Sequence, residues 1–238
     1  MAAIDLTVTA SATYAAGSDH ETGTGTLEAL GPERSRVILN LDGGRREEIR
    51  NGFAGAWVGA DGAAHAAALH NCWTDASWFT PLLTLEAASS DPTISVTLAE
   101  SSHSPRKVVT PGESGGGNPS AVEELVLSRI VANQSAAITA EIQKLSTMNL
   151  YLDSSSLLPV ELDFNIHPDK DASRDIPVEI EFSDYRTVSG VRVPFHIRKY
   201  VQHSLLLDLQ VSVVTVNSGV AASDFAIPAA VAPTGGQQ

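Results

Sequence analysis

A chain of 238 residues, 43% hydrophobic and 18% charged, can bury a real core and lies far from the low-hydrophobicity, high-charge regime that stays unfolded. Its net charge of −13 repels phosphate backbones and anionic surfaces from the molecule as a whole, which argues against nucleic acid as a partner. Cys72 is the lone cysteine, so neither an internal disulfide nor a cysteine-rich zinc site holds the fold, and packing must.

Residues 1–18 carry no basic residue and no apolar run, so no signal peptide is expected in this stretch. A cytoplasmic protein, a mature exported form and a displaced start all remain open. The first pattern is an alternation: Ile4, Leu6, Val8, Ala10, Ala12 and Tyr14 against Asp5, Thr7, Thr9, Ser11 and Thr13, the signature of a strand with one apolar face. Turn signals follow at Gly31-Pro32, Asp42-Gly43, Asn51-Gly52 and Asp61-Gly62, the cadence of an antiparallel meander.

A helix is predicted over 75–87, with Thr74 as N-cap and Trp78, Leu82 and Leu85 on one face; Pro81 fits only a first turn or breaks the helix there. Residues 111–120, rich in Gly, Ser and Pro, read as a flexible surface loop. Residues 121–132 suit helix or strand, and the need for a hairpin partner favours strand. A second helix is predicted over 136–145, capped by Ser135 and burying Ile138, Ile142 and Leu145.

Four strong alternations complete the chain. Leu158, Val160, Leu162, Phe164 and Ile166 face one way, as do Ile176, Val178, Ile180 and Phe182; then Val191, Val193, Phe195 and Ile197; then Leu205, Leu207, Leu209, Val211 and Val213. Glu161, Glu179, Glu181 and Arg198 face away. The last of these strands lies in the richest apolar stretch, 205–216, and Asp208 and Gln210 interrupt it, so no membrane-spanning helix is expected. Residues 229–238 read as an irregular tail.

A long antiparallel sheet with one apolar face must close into a barrel or be covered. Two short helices cover it only in part. The expected fold is therefore mostly β (α+β): a strongly curved antiparallel sheet forming an unclosed β-barrel lidded by one or two short helices, in a single domain over 1–238.

The C-terminal half carries a resemblance. Tyr151-Leu152-Asp153, Leu158-Pro159-Val160, Phe182-Ser183-Asp184-Tyr185-Arg186, Ser189-Gly190-Val191, Val193-Pro194, Val216-Asn217, Asp224-Phe225 and Ile227-Pro228 together resemble bacterial envelope proteins of the lipoprotein-carrier superfamily, named for the lipoprotein localisation factor. Gly25-Thr26-Leu27, Arg34-Ser35-Arg36 and Asp61-Gly62 fit the same layout more loosely. The resemblance implies an unclosed, helix-lidded β-barrel, an apolar cavity that takes acyl chains, and a location in the periplasm or cell envelope.

Three constellations could carry other chemistry. Gly112-Glu113-Ser114-Gly115-Gly116 matches a nucleophile-elbow pattern, but Pro111 before it and Gly117-Asn118-Pro119 after it prevent the required strand-to-helix turn. His70 and Cys72 could pair as base and nucleophile on one strand face, although a packed thiol beside Trp73 is favoured. His167, Asp169, Asp171 and Asp175 offer metal ligands, yet Lys170 and Arg174 interrupt them and no calcium-loop glycine or glutamate follows, which favours a solvated loop. No catalytic residue, metal or cofactor is therefore expected.

The expected function is non-enzymatic binding of a lipid or lipoprotein acyl chain. Trp57, Trp73, Trp78, Phe79, Leu82, Leu162, Phe164, Ile180, Phe182, Phe195 and Leu207 are the candidate cavity residues. For the aromatic group among them, Trp57, Trp73, Trp78 and Phe79, plain core is the favoured reading over a cavity mouth. A structural module that binds an envelope protein partner through a filled core and an exposed patch is the alternative, and a hydrolase the remote one.

Overall fold

The alternating runs pair with their neighbours in sequence, many of them across turns too short for anything but a hairpin. In the computed structural model, which describes residues 5–17, 19–74, 76–99 and 122–229, the first meander comprises β1 (Asp5–Ala16), β2 (Asp19–Leu30), β3 (Arg34–Leu41), β4 (Gly44–Asn51), β5 (Ala54–Val58) and β6 (Ala64–Ala66). A second comprises β7 (Ile94–Leu98), β8 (Val122–Arg129), β9 (Met148–Asp153), β10 (Pro159–Ile166), β11 (Ile176–Val188), β12 (Val191–Val201) and β13 (Ser204–Val216). Gly31 and Gly52, at two of the signalled turns, have φ of 61° and 58°, the left-handed conformation that glycine adopts without a Cβ penalty. The expected loop 111–120, Ser114 within it, and the tail from residue 230 lie outside the described residues.

The two meanders join where β1 pairs antiparallel with β13, from Leu6 opposite Val216 to Tyr14 opposite Leu207. One thirteen-stranded antiparallel sheet results, ending on β6 at one edge and β7 at the other, so it is not closed. Its curvature follows from the core. Leu27 and Val37 of the first meander share one buried cluster with Leu127, Leu150, Leu162 and Ile180 of the second, which a flat sheet of this width does not allow. The faces divide as the alternation requires: Leu162, Phe164, Ile180, Phe182, Phe195 and Leu207 are all buried in that cluster. On the outer face Glu181 stands opposite both Glu161 and Arg198 and ion-pairs with the latter. Glu161 faces outward but is buried, opposite Tyr151 in the register.

Alternation fails where the register shifts, on β13 above all. A bulge between Thr9 and Ala10 shifts the β1–β13 register, so Leu207, Leu209 and Val211 point inward, Val213 is 55% exposed, and Val214 takes the inward place instead. Leu205, beyond a second irregularity between Lys199 and Tyr200, is also exposed.

The first helix, α1, spans Pro81–Ser90 and not 75–87. Proline has no N–H to donate and disfavours helical geometry in the residue before it, so Pro81 takes the first helical position and Thr80 precedes it at φ −130°, ψ 68°. Trp78 therefore lies ahead of the helix, in an irregular but buried segment with Ser77, Phe79 and Thr80. The second helix, α2, spans Ala136–Ser146, with Ser135 Oγ accepting the Ile138 N–H at 3.4 Å. Ile142 and Leu145 are buried, whereas Ile138 is exposed. Residues 122–129 are a strand, as the hairpin argument requires. A 3-10 turn, Ala222–Phe225, buries Phe225 completely against β3 and β4, and Asn51 Nδ2 donates to its carbonyl.

Candidate functional site

The inner face of the sheet is apolar by alternation, and α1 with the segment before it lies across that face, touching β7 and β10. The cover is incomplete. A cavity of about 300 Å³ is lined by Tyr14, Leu39, Trp57, Trp78, Lys199 and Leu207, with Arg46, Glu47 and Glu48 beside them. A second, of about 200 Å³, lies between the start of α1 and the β11–β12 hairpin, lined by Leu6, Pro81, Leu82, Val191 and Val193 with Glu86 and Arg192 at hand. Trp78 borders the first and Thr80 the second, so one short segment stands between them.

The larger cavity is not purely apolar. Arg46 holds Glu21 through two hydrogen bonds, 2.6 and 2.7 Å, and lies 4.8 Å over the Tyr14 ring. That guanidinium keeps the Glu21 carboxyl below its usual range. Lys199 occupies an inward position of β12, between Ile180 and Leu207 in one cross-strand row. Its ammonium sits 4.3 Å from the centroid of the Trp78 ring, a cation–π contact, and its nearest carboxylate oxygen among the described residues is on Glu48 at 3.8 Å. The Lys199 side chain is only 15% exposed.

Of the eleven candidate residues, Trp57, Trp78 and Leu207 line the larger cavity and Leu82 the smaller. Phe79, Leu162 and Ile180 are completely buried, and Phe164, Phe182 and Phe195 nearly so; all six belong to the core cluster and border neither cavity. Trp73 is half-buried against Phe53, ring centroids 4.6 Å apart. The tryptophans are thus not one group: Trp57 stacks on His65, Trp73 meets Phe53, and Trp78 packs edge-on to Phe79. Lys199 and Arg46 were not anticipated. A signal existed for the first: Lys199 falls two residues after Ile197, on the apolar side of its own strand.

His70 and Cys72 lie in a 3-10 turn, Leu69–Cys72, and not on a strand. Cys72 is buried, and burial pushes its thiol pKa up, away from the reactive thiolate. His70 Nε2 is 3.1 Å from the Pro168 carbonyl. Between them Asn71 docks the turn on the loop after β10: its Nδ2 donates to the His167 carbonyl at 2.7 Å, and its Oδ1 accepts the His167 N–H at 2.8 Å. In the His167 cluster, His167 Nε2 lies 3.1 Å from Asp175 Oδ1, while Asp171 accepts from Ser173 within its own turn. No group of three or more ligands that could hold a metal ion occurs among the described residues. Ser114 lies outside them.

No family model and no curated protein matches the sequence. Solved structures do. A LolA superfamily protein from Nitrosomonas europaea superposes with a TM-score of 0.52 over 95% of this chain and 91% of its own, at 11% identity. A DUF1329 family protein from Desulfovibrio piger superposes with a TM-score of 0.50 over 94% and 90%, at 12% identity. With its open sheet, apolar inner face and short covering helix, the chain has the LolA-like fold.

Proposed function

We propose that the protein binds a hydrophobic ligand, a lipid or the acyl chain of a lipoprotein, without covalent chemistry, as a carrier-type protein of the bacterial periplasm or envelope. The observation that carries this is the pair of cavities left where α1 only partly covers the apolar inner face. Binding pockets for small molecules have this character, a largely apolar lining with few polar groups, and begin at about the larger volume found here. Each buried methylene contributes about 0.8 kcal/mol, so a chain of about ten approaches micromolar affinity before the costs of binding are counted. The LolA-like fold supports both the ligand class and the envelope location. No helix of the described residues is long and apolar enough to cross a membrane. A non-enzymatic role is supported by Cys72, a buried thiol whose pKa is raised.

Native mass spectrometry on gently purified protein, followed by lipid extraction and titration with a fluorescent acyl probe, tests the proposal. Co-purifying lipid, or saturable probe binding displaced by fatty acid, is expected. Protein that carries no lipid and binds no acyl probe overturns the carrier reading and leaves a structural module that docks an envelope partner.

A further inference from the structure

The inner face carries charges on β4, Arg46 opposite Leu39 and Glu48 opposite Val37, and a further one on β12, Lys199. Its row across the sheet reads Ile180, Lys199, Leu207, Tyr14, Glu21, and it places an ammonium where alternation calls for an apolar side chain. A lysine side chain only 15% exposed gives up most of its water, at a cost unless the three N–H donors of its ammonium are used. Here the Glu48 carboxylate lies beyond hydrogen-bond distance at 3.8 Å, and the Trp78 ring offers only its π face. Both line the 300 Å³ cavity, and the Lys199 ammonium makes no side-chain hydrogen bond among the described residues. Arg46, the other cation lining the cavity, is already engaged at both nitrogens by Glu21.

Glu47 is shared by Arg36 and Arg45, Glu21 by Arg46 alone, and Glu48 stands off from Lys199. The charged residues that line this cavity are Arg46 and Lys199 against Glu47 and Glu48, and Arg46 and Glu47 are already held by ion pairs of their own. Lys199 is thus the lining cation that an incoming anion finds without a hydrogen-bonded carboxylate, next to an apolar wall.

We infer that the larger cavity takes a single-chain amphiphile with an anionic head, a carboxylate or a phosphate monoester, and that Lys199 holds the head while the chain lies against Leu39, Trp78 and Leu207. The inference rests on the reading that this cavity accepts an apolar chain, and adds the chemistry of the head. Glu48, 38% exposed, is free to turn toward solvent as the anion arrives.

Tryptophan emission is the readout, since Trp57 and Trp78 both border the cavity. Dodecanoate, methyl dodecanoate, dodecyl phosphate and inorganic phosphate are titrated into the lipid-free protein and into Lys199→Met and Lys199→Arg. Dodecanoate or dodecyl phosphate is expected to bind about tenfold or more tightly than the ester, the effect of a hydrogen bond to a charged group. In Lys199→Met that preference should vanish, and in Lys199→Arg most of it should persist. Equal binding of acid and ester by the parent overturns the head-group inference but leaves the chain-binding cavity standing. So does a preference that survives Lys199→Met, and so does inorganic phosphate competing as well as dodecyl phosphate. If no compound changes the emission, the cavity reading itself falls. The comparison of acid with ester in the parent needs no variant, so a misfolded mutant does not blunt the test.

Discussion

Arginine placed at two apolar positions separates packed core from cavity. Phe182 is 3% exposed, opposite Ile197 on the inner face, and borders neither cavity. Removing its ring forfeits roughly 1.5–3 kcal/mol of burial, and an unpaired guanidinium in its place costs several kcal/mol more. The total for Phe182→Arg exceeds about 4 kcal/mol, comparable with the whole stability of a domain of about 5–15 kcal/mol. Leu82 differs: half-buried, it lines the smaller cavity one helical turn before the exposed Glu86. An arginine there can extend toward Glu86, and Leu82→Arg should cost about 1 kcal/mol or less. Urea melts of both variants, with acyl-probe titration of whichever folds, check this. Phe182→Arg is expected to be unfolded or close to it, and Leu82→Arg to fold with weakened binding of any ligand that uses the smaller cavity. A Phe182→Arg protein with the parent's midpoint would refute the packing of the inner face. A Leu82→Arg protein that unfolds as badly would show that the start of α1 is core.

Asn71→Ala removes both hydrogen bonds to the His167 backbone and leaves its buried groups unpaired, so thermal or urea unfolding should report a loss of about 1–3 kcal/mol. Cys72 should resist thiol reagents in the native protein at mildly alkaline pH and react promptly in denaturant, because burial raises its pKa; rapid native labelling would contradict the assignment. Asp153 accepts hydrogen bonds from the Ser155 and Ser156 hydroxyls and N–H groups, led by the Ser155 hydroxyl, and these hold its carboxyl below the usual range. A pKa depressed by folding contributes stability above the unfolded value of about 3.9, and that contribution is lost as pH falls through the folded value. The stability gap between the parent and Asp153→Ala should therefore be full near neutrality and close as the solution becomes strongly acidic. Urea midpoints across that range test the sign.

The sheet was legible because a strand has only two faces and a hairpin turn fixes its neighbour. Once Leu162, Phe164, Ile180 and Phe182 are assigned to one side, the facing of both strands follows with no further information. The reasoning fails where the count of residues between rungs changes. The bulge at Thr9 and Ala10 turns Val213 outward and Val214 inward, and nothing in the alternating run 205–213 signals it, because the extra residue is accommodated across the pairing with β1. Helix α1 shows the converse: its start was encoded in one residue, Pro81, and a 3.6-residue pattern reaching back to Trp78 concealed it.

The site was less legible than the fold for a reason that alternation cannot supply. Period two says which side a residue faces; it does not say whether the space opposite is filled. Phe182 and Leu207 share the inner face, yet Phe182 meets packed core and Leu207 borders the larger cavity. The difference comes from the segment before α1, whose Trp78 and Phe79 occupy the middle of that face with no helical or strand period to foretell their place. Hydrophobic content is therefore a poor guide to a ligand site on such a sheet, since core and cavity wall have the same composition. A charge where the pattern demands an apolar residue is a better one. Lys199 breaks the run of Val193, Phe195 and Ile197, and a mostly buried lysine side chain persists there only if its ammonium adjoins something wet or polar, which a packed core is not. Among these inner-face positions, Lys199 is the one whose residue type points to an opening.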